Sequence, residues 1–410
     1  MTNSLLTPDV FANEAIMHLE NELVLGNMVN SDYSKEFTAV GETISIRKPV
    51  RFAGQSDNLD VTSYNEDIIE GKQTVTMDKT ETIKFSLTAL DRTLSVEKIS
   101  ERYIKPAVDK LRDRIEAEIA SNYYKFFHFG GTPGTTPSTF LSLASAGAVL
   151  TDQAVPTSRR FAVHGPDTAV ALADGLKGVY VQDKAKTAFE EAKIGRYGMF
   201  DNYMSVHAPT HVVGAHGGTP LVNGADQNVT YAASKNGWSQ TLVTNGWTNS
   251  TTGILKAGDV ITIAGVYAVN PVSRTSTGRL QTFTVLADAD SGASTGPATI
   301  TISPAIIVSG AYQTVSAAPA DDAVITVKTG TASASNRQSL LMHPDAITLV
   351  TRPLDIASGA GLKTSTKSGN RVTISCSEWI DGNTLTHNFR FDMLFKAECI
   401  DPRLGYRLTA

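Results

Sequence analysis

Three groups of residues in this 410-residue chain have types and spacings that could do chemistry. Gly292-Ala293-Ser294-Thr295-Gly296 is spelled like the nucleophile elbow on which serine hydrolases expose an attacking hydroxyl. That elbow needs a strand before it and a helix after it. Here Pro297 and an alternating Thr-Ile-Thr-Ile run follow, so the context predicts a loop between strands. His207, His211 and His216 are near enough in sequence to suggest metal ligation, but Pro209 and Gly214 prevent the one-face helical geometry such a pair needs. Asp288-Ala289-Asp290-Ser291-Gly292 begins like a calcium loop, yet Thr299 stands where the bidentate Glu belongs. A phosphate-cradling glycine loop and paired-cysteine zinc spacing are both missing from the sequence. These residues predict no enzyme, no metal and no cofactor. A hydrolase built on Ser294 is the alternative, discriminated by labelling with a serine-reactive probe.

The remaining chemistry is that of charge and burial. The formal charge of -5 is spread without a basic run, which opposes tight sequence-specific nucleic-acid binding but allows passive contact with DNA. The two cysteines, Cys376 and Cys399, lie in apolar alternating stretches and predict free thiols in a reducing compartment. The first residues lack the basic and apolar regions of a signal peptide, and no stretch is apolar for the length of a membrane span. The expectation is a soluble cytoplasmic product, with Asn228 and Asn249 in ordinary polar loops. A secreted β-rich adhesin, suggested by the Thr- and Gly-rich middle, is opposed on the same grounds.

The elements that organise these residues are announced by a compositional seam. No glutamate occurs between Glu191 and Glu378, and much of that gap is rich in Thr, Ser, Gly and Val. Those residues suit a pleated, half-buried surface, so 217–336 reads as an all-β body inserted into a mixed chain whose flanks form one split domain. Inside it, alternating runs begin near 258, 279, 297 and 322, the pattern of a small barrel or sandwich.

Upstream, Thr7, Pro8 and Asp9 open a helix that Gly26 can close, with Phe11, Ala15, Ile16, Leu19 and Leu23 on one face. This arm carries Asp9, Glu14, Glu20 and Glu22 and reads either as a helix packed on its own domain or as a docking arm for a basic partner. Residues 42–52 and 73–88 alternate as two long strands of a projecting hairpin. Their acidic connection holds Asp57, Asp60, Glu66, Asp67 and Glu70. A lone hairpin is marginal in water, so it should lean on its own domain or, the preferred reading, on a neighbouring subunit.

From Ser95 to Phe127 runs the longest helical pattern, kinked near Pro106, with Arg112–Glu116 and Arg114–Glu118 as exposed charge pairs. A short helix then leads through the strand RRFAVHG into PDTAVALADGL, and LLMHPDAITLV at 340–350 echoes that turn after the insertion. The C-terminal stretch reads as a half-buried sheet, with Val372, Ile374 and Cys376, then Phe389, Phe391, Met393 and Phe395.

Taken together, the acidic arm, long hairpin, long helix and SLASAGAVLTDQAVPTSRRFAVHGPD (142–167) resemble the major capsid proteins of tailed double-stranded DNA phages. GDVITIAGVYAVNP (258–271) followed by STGRLQTFTV (276–285) is similar to the β-barrel insertion of the short-tailed-phage coat-protein group, and MHPDAITLVTRPL (342–354) resembles its return strand. The resemblance implies an α+β Johnson fold. Its parts would be an N-terminal arm (1–37), an extended hairpin loop crossing an adjacent subunit (38–92) and a spine helix with peripheral domain (93–155). An apical domain (156–216 and 337–362) interrupted by the inserted barrel (217–336), and a peripheral C-terminal sheet (363–410), would complete it.

The resemblance also implies self-assembly into pentamers and hexamers of an icosahedral virion shell, around DNA held by non-specific contact. A scaffolding protein and a portal ring are expected partners, a membrane is not, and assembly is expected in the host cytoplasm. The arm would meet the scaffold and the hairpin would contact the next subunit. An encapsulin-like cellular compartment of the same fold is the alternative, and protein cargo would identify it.

Overall fold

The computed structural model describes residues 7–35, 43–54, 62, 66–88, 100–175, 195–354, 356, 359, 361–384 and 386–410. The chain forms two compact units, each made from three separated segments. Asp57, Asp60 and the start of the long helical pattern at Ser95 lie outside the described residues.

The first unit comprises Met1–Ile44, Thr74–Ser121 and Ile347–Cys399. Its centre is the strand Thr386–Cys399, which pairs antiparallel with Lys79–Thr88, Thr373–Asp381 and Ile347–Arg352; Lys363–Ser368 extends the sheet beyond Thr373–Asp381. Phe389, Phe391 and Phe395 on the central strand are fully buried. The helix Pro8–Glu22 adds Phe11, stacked on Phe389 with centroids 4.4 Å apart. Such pairs gain roughly 1 kcal/mol beyond the area they bury. The expected half-buried C-terminal sheet is more enclosed than alternation implied, because Thr373–Glu378 are all buried. Cys376 and Cys399 are free thiols within it, and burial pushes Cys376 up to about 12.

The helix Lys105–Ser121 buries Val108, Leu111, Ile115 and Ile119 at the predicted spacing. A π-helical turn, Ser100–Ile104, precedes it, so the change of winding falls immediately before Pro106, where the ring cannot accept a regular α-turn. The charge pairs read from spacing take other roles. Arg112 meets Glu22 at 2.8 Å, and Arg114 meets Glu81 at 3.7 Å. Glu116 is buried and accepts from the backbone N–H groups of Val24, Leu25 and Gly26, holding the chain just past the first helix.

The second predicted long strand divides. Lys72–Thr76 pairs with Thr43–Arg47 as a two-stranded sheet, whereas Lys79–Thr88 belongs to the five-stranded sheet. The break follows Met77, which is buried, and Asp78, which pairs with Lys396 at 3.1 Å.

The second unit comprises Ser45–Gln73, Asn122–Ala346 and Ile400–Ala410. One of its sheets is contiguous in sequence, running in the order Ile325–Val327, Val260–Val269, Ser276–Val285, Ala298–Ser303, Gln240–Trp247, Gly218–Val222. A bridge between Leu221 and Val324 and the bond from Val222 N to Ala323 O join its two ends, so the ring of strands closes around Leu242, Ile261, Phe283 and Ile300. Closure removes exposed strand edges.

The other sheet is assembled from distant pieces: His128–Gly130, Gly405–Thr409, Ser335–Met342, Phe161–His164, Phe200–Met204 and Arg196–Tyr197, with Thr210–Val212 also on Ser335–Met342. The two similar turns after His164 and His343 end neighbouring antiparallel strands of this sheet, Leu340 lying opposite Val163. Beside the sheet, Thr139 caps the helix Phe140–Asp152 through Ser142 N, and buried Arg160 bonds Gly147 O and Val155 O near its C-terminal end.

Candidate assembly surfaces and a buried polar hub

The arm's carboxylates all have partners within the first unit. Asp9 meets Lys367 at 2.8 Å and Ser365 Oγ at 3.0 Å; the bonds from Lys367 and Ser365 hold its carboxyl below the usual range. Glu14 meets His18 at 3.0 Å and accepts from Ser100 Oγ at 2.9 Å. Glu20 accepts from the backbone N–H groups of Asn370 and Arg371, and Glu22 pairs with Arg112. The side chains of Asp9 and Glu22 nevertheless remain 55% and 39% exposed, so both can still meet a second charge from outside.

The hairpin carboxylates divide by role. Glu66 accepts from Ala53 N and Gly54 N at 2.8 to 3.0 Å and closes the loop, Glu70 pairs with Arg47 at 3.2 Å, and Asp67 is exposed. Support for the hairpin base comes from its own chain. Lys48 Nζ donates to Asn236 O, Lys72 N to Asn236 Oδ1, Arg51 N to Tyr312 Oη and Arg274 to Ala53 O. Gly71 permits this approach, since a Cβ there would fall 2.4 Å from Lys235 O.

The residues singled out for chemistry separate. Ser294 is exposed in an inter-strand turn at φ +74°. Asp288 and Asp290 accept from the backbone N–H groups of Ala257 and Gly253, tying one loop to another. His216 bonds Gly330 O at 2.9 Å, while His211 bonds Asp259 and Tyr123. Among the described residues no cluster of His, Cys, Asp and Glu could hold a metal, and no helix is long and apolar enough to cross a membrane.

His211 instead belongs to a hub that sequence reasoning missed. Fully buried Asp259, at the start of Val260–Val269, accepts from His211 Nε2 (3.0 Å), Gly214 N (3.0 Å), Lys256 N (2.7 Å) and Thr329 Oγ1 (2.7 Å). Burial opposes its ionisation, but the His211 and backbone hydrogen bonds outweigh that effect and hold its carboxyl below the usual range. Beside it Arg407, also fully buried, donates to Gly258 O (2.7 Å), Thr284 Oγ1 (3.1 Å) and Gln338 Oε1 (3.5 Å), with its guanidinium 5.8 Å from the Tyr123 ring centre. The hub thus fastens the closed ring of strands to the discontinuous sheet. Its hydrogen bonds tie together backbone and side chains from separated stretches, which is the work of a structural junction.

Comparison with known proteins gives this architecture a context. The family described as P22 coat protein, gene protein 5, matches residues 1–410, the whole chain. The chain is 26% identical over 379 residues to the major capsid protein of Acyrthosiphon pisum secondary endosymbiont phage 1, spanning 89% of this chain and 88% of that protein. It is similar to the capsid of Ralstonia phage GP4, with a TM-score of 0.47 and 9% identity over 94% of this chain and 88% of that one. Similarity to the CUS-3 coat protein I-domain covers 28% of this chain and 97% of that one, at 28% identity and a TM-score of 0.20. The chain belongs to the P22 coat protein family.

Proposed function

We propose that this chain builds the icosahedral head of a tailed phage, assembling as pentamers and hexamers around double-stranded DNA. It is a phage major capsid protein, a virion component that assembles with copies of itself, and the whole-chain family match carries that reading. The match is to a phage coat family and gives no support to an encapsulin-like compartment. Binding energy in such a shell is distributed over repeated interfaces, and no catalytic step is needed.

In this reading residues 38–92 are the loop reaching an adjacent subunit, with exposed Asp67 available there. Residues 93–155 and 363–410 make the spine and peripheral domain, 156–216 and 337–362 the apical domain, and 217–336 the inserted barrel. Asp9, Glu14, Glu20 and Glu22 offer a basic scaffolding protein an acidic face in the host cytoplasm. The exposure of Asp9 and Glu22 supports that assignment. A portal ring completes the head, and packaged DNA is touched without sequence preference.

Sedimentation velocity and negative-stain microscopy of the purified chain, alone and with its scaffold, test the proposal. Closed uniform shells are expected; monomers under both conditions would overturn it.

A further inference from the structure

The base of the hairpin carries a guanidinium that the fold has partly buried without giving it an acceptor. Arg51 lies 5.8 Å from the Trp238 ring centre and 5.6 Å from that of Tyr312, and Tyr312 is stacked on Tyr231 at 3.5 Å with an interplanar angle of 3°. Only the backbone N–H of Arg51 is hydrogen-bonded, to Tyr312 Oη; its side chain has no hydrogen-bond acceptor among the described residues, and the acid whose field reaches it is Asp401. Burial, with repulsion from Arg403, pushes the Arg51 guanidinium down to about 10 against the opposing field of Asp401.

These residues line a concavity of about 80 Å³ that also holds Lys48 and Arg403. Its one acid, Asp401, already serves Arg403 at 3.2 Å and caps Arg403 N. Two further N–H groups on lining residues, Trp238 Nε1 and Arg403 Nε, are buried without an acceptor among the described residues. Trp238 itself is held at φ +51°, a conformation that costs a bulky residue roughly 1 kcal/mol or more. The fold thus accepts strain and a guanidinium without a side-chain acceptor at one place.

We propose that this pocket receives a carboxylate side chain from a second copy of this chain. A guanidinium without an acceptor, beside a second arginine that already holds Asp401, selects an anionic ligand, and a planar guanidinium pairs best with a carboxylate or phosphate. The small volume and the walls of Pro49, Pro402 and aromatic rings fit one carboxylate-bearing side chain better than a DNA strand. Copies of this chain are the abundant source: acids outnumber bases 41 to 36, and a closed shell brings the same surfaces together many times. The proposal rests on the assembly reading and adds to it the chemistry of one contact.

Arg51→Met removes the charge while keeping much of the stem, and Arg51→Lys retains charge without the planar fork. The unfolding midpoint of the unassembled Arg51→Met subunit should match the parent, while the concentration needed to form DNA-free shells rises about tenfold. Arg51→Lys should restore part of that loss. An unchanged assembly concentration would overturn the proposal, as would equal weakening of subunit and shell. A defect confined to DNA-filled shells would assign the pocket to phosphate instead. An independent arm is a cryo-EM map of the parent's DNA-free shell, expected to place a neighbouring subunit's Asp or Glu against Arg51; an empty pocket there would also overturn it. A parent chain that forms no shell would sink the assembly reading along with this one, whereas normal parent and variant shells would sink only the pocket.

Discussion

Arg407 and Arg51 both lie in the second unit, and burial pushes both down to about 10, yet their surroundings differ. Arg407 has three oxygen acceptors and the field of Asp259; Arg51 has the field of Asp401, aromatic faces and a second arginine, but no side-chain hydrogen-bond acceptor among the described residues. Arginine cannot escape burial by losing its proton at neutral pH, so each site must be answered by partners or bear the cost. Where the answer is inside the subunit, the charge specifies the fold. Where it is missing, as in the Arg51 pocket, the charge points outward to assembly.

The sharpest way to break that contrast is to remove an answer from the hub. Asp259→Ala leaves four donors in a buried space without their acceptor, and should cost about 3–5 kcal/mol of subunit stability. Equilibrium denaturation of the soluble subunit measures it, with Arg51→Met as the neutral comparison. If Asp259→Ala and Arg51→Met were equally tolerated, the distinction between an answered and an unanswered charge would fail.

Acid provides a second, smaller test, because buried histidines can do what arginines cannot and remain neutral. Burial and the nearby Arg403 push His128 down to about 3, and burial pushes His164 down to about 4 against the opposing bond to Asn202 Oδ1. Their unfolded values lie near 6.5, so between those limits the unfolded chain binds more protons and stability rises with pH. The contribution is complete above about pH 6.5 and is lost as pH falls towards the folded values. At pH 5 the loss is roughly 2 kcal/mol per histidine. Denaturation curves from pH 7 to pH 5 should show this slope, and His164→Gln should remove about half of it. A flat profile in the parent would show that neither ring is held neutral.

The same distinction explains what could be read from the sequence. Periodic apolar residues announced the Pro8–Glu22 and Lys105–Ser121 helices, and alternation announced the strands at 260, 276, 298 and 325, because burying one face repeats at a fixed spacing. Gln240–Trp247 was harder to find because two of its inward residues, Gln240 and Thr244, are polar. Residue types also revealed the arm's acidity, but not that Glu20 accepts from the turn at 370–371. The hub left little signal: Tyr123, His211, Asp259, Thr329 and Arg407 come from five separated stretches, and no spacing rule links them. Arg407, in the short final strand, is invisible until the sheet places Gly405–Thr409 between His128–Gly130 and Ser335–Met342.

The smallest expected effect on subunit stability belongs to the arm, and it is informative for that reason. Glu22 and Arg112 form a part-exposed pair of the kind worth at most about 1 kcal/mol, and Asp9 is more exposed still. Asp9→Asn with Glu22→Gln should therefore leave the unfolding midpoint of the subunit nearly unchanged. Glu20 does not belong in this test. Its carboxylate holds the turn at 370–371, and Glu20→Lys would disturb the subunit before any partner arrived. If a basic scaffold docks on the arm, Asp9→Lys with Glu22→Lys should lower scaffold-dependent shell yield severalfold, and added salt should weaken the parent's assembly in the same direction. Unchanged yield at low salt would return the arm to a role within its own unit. A lower yield accompanied by an equally lowered unfolding midpoint would do the same, since docking predicts a loss that appears only when the partner is present.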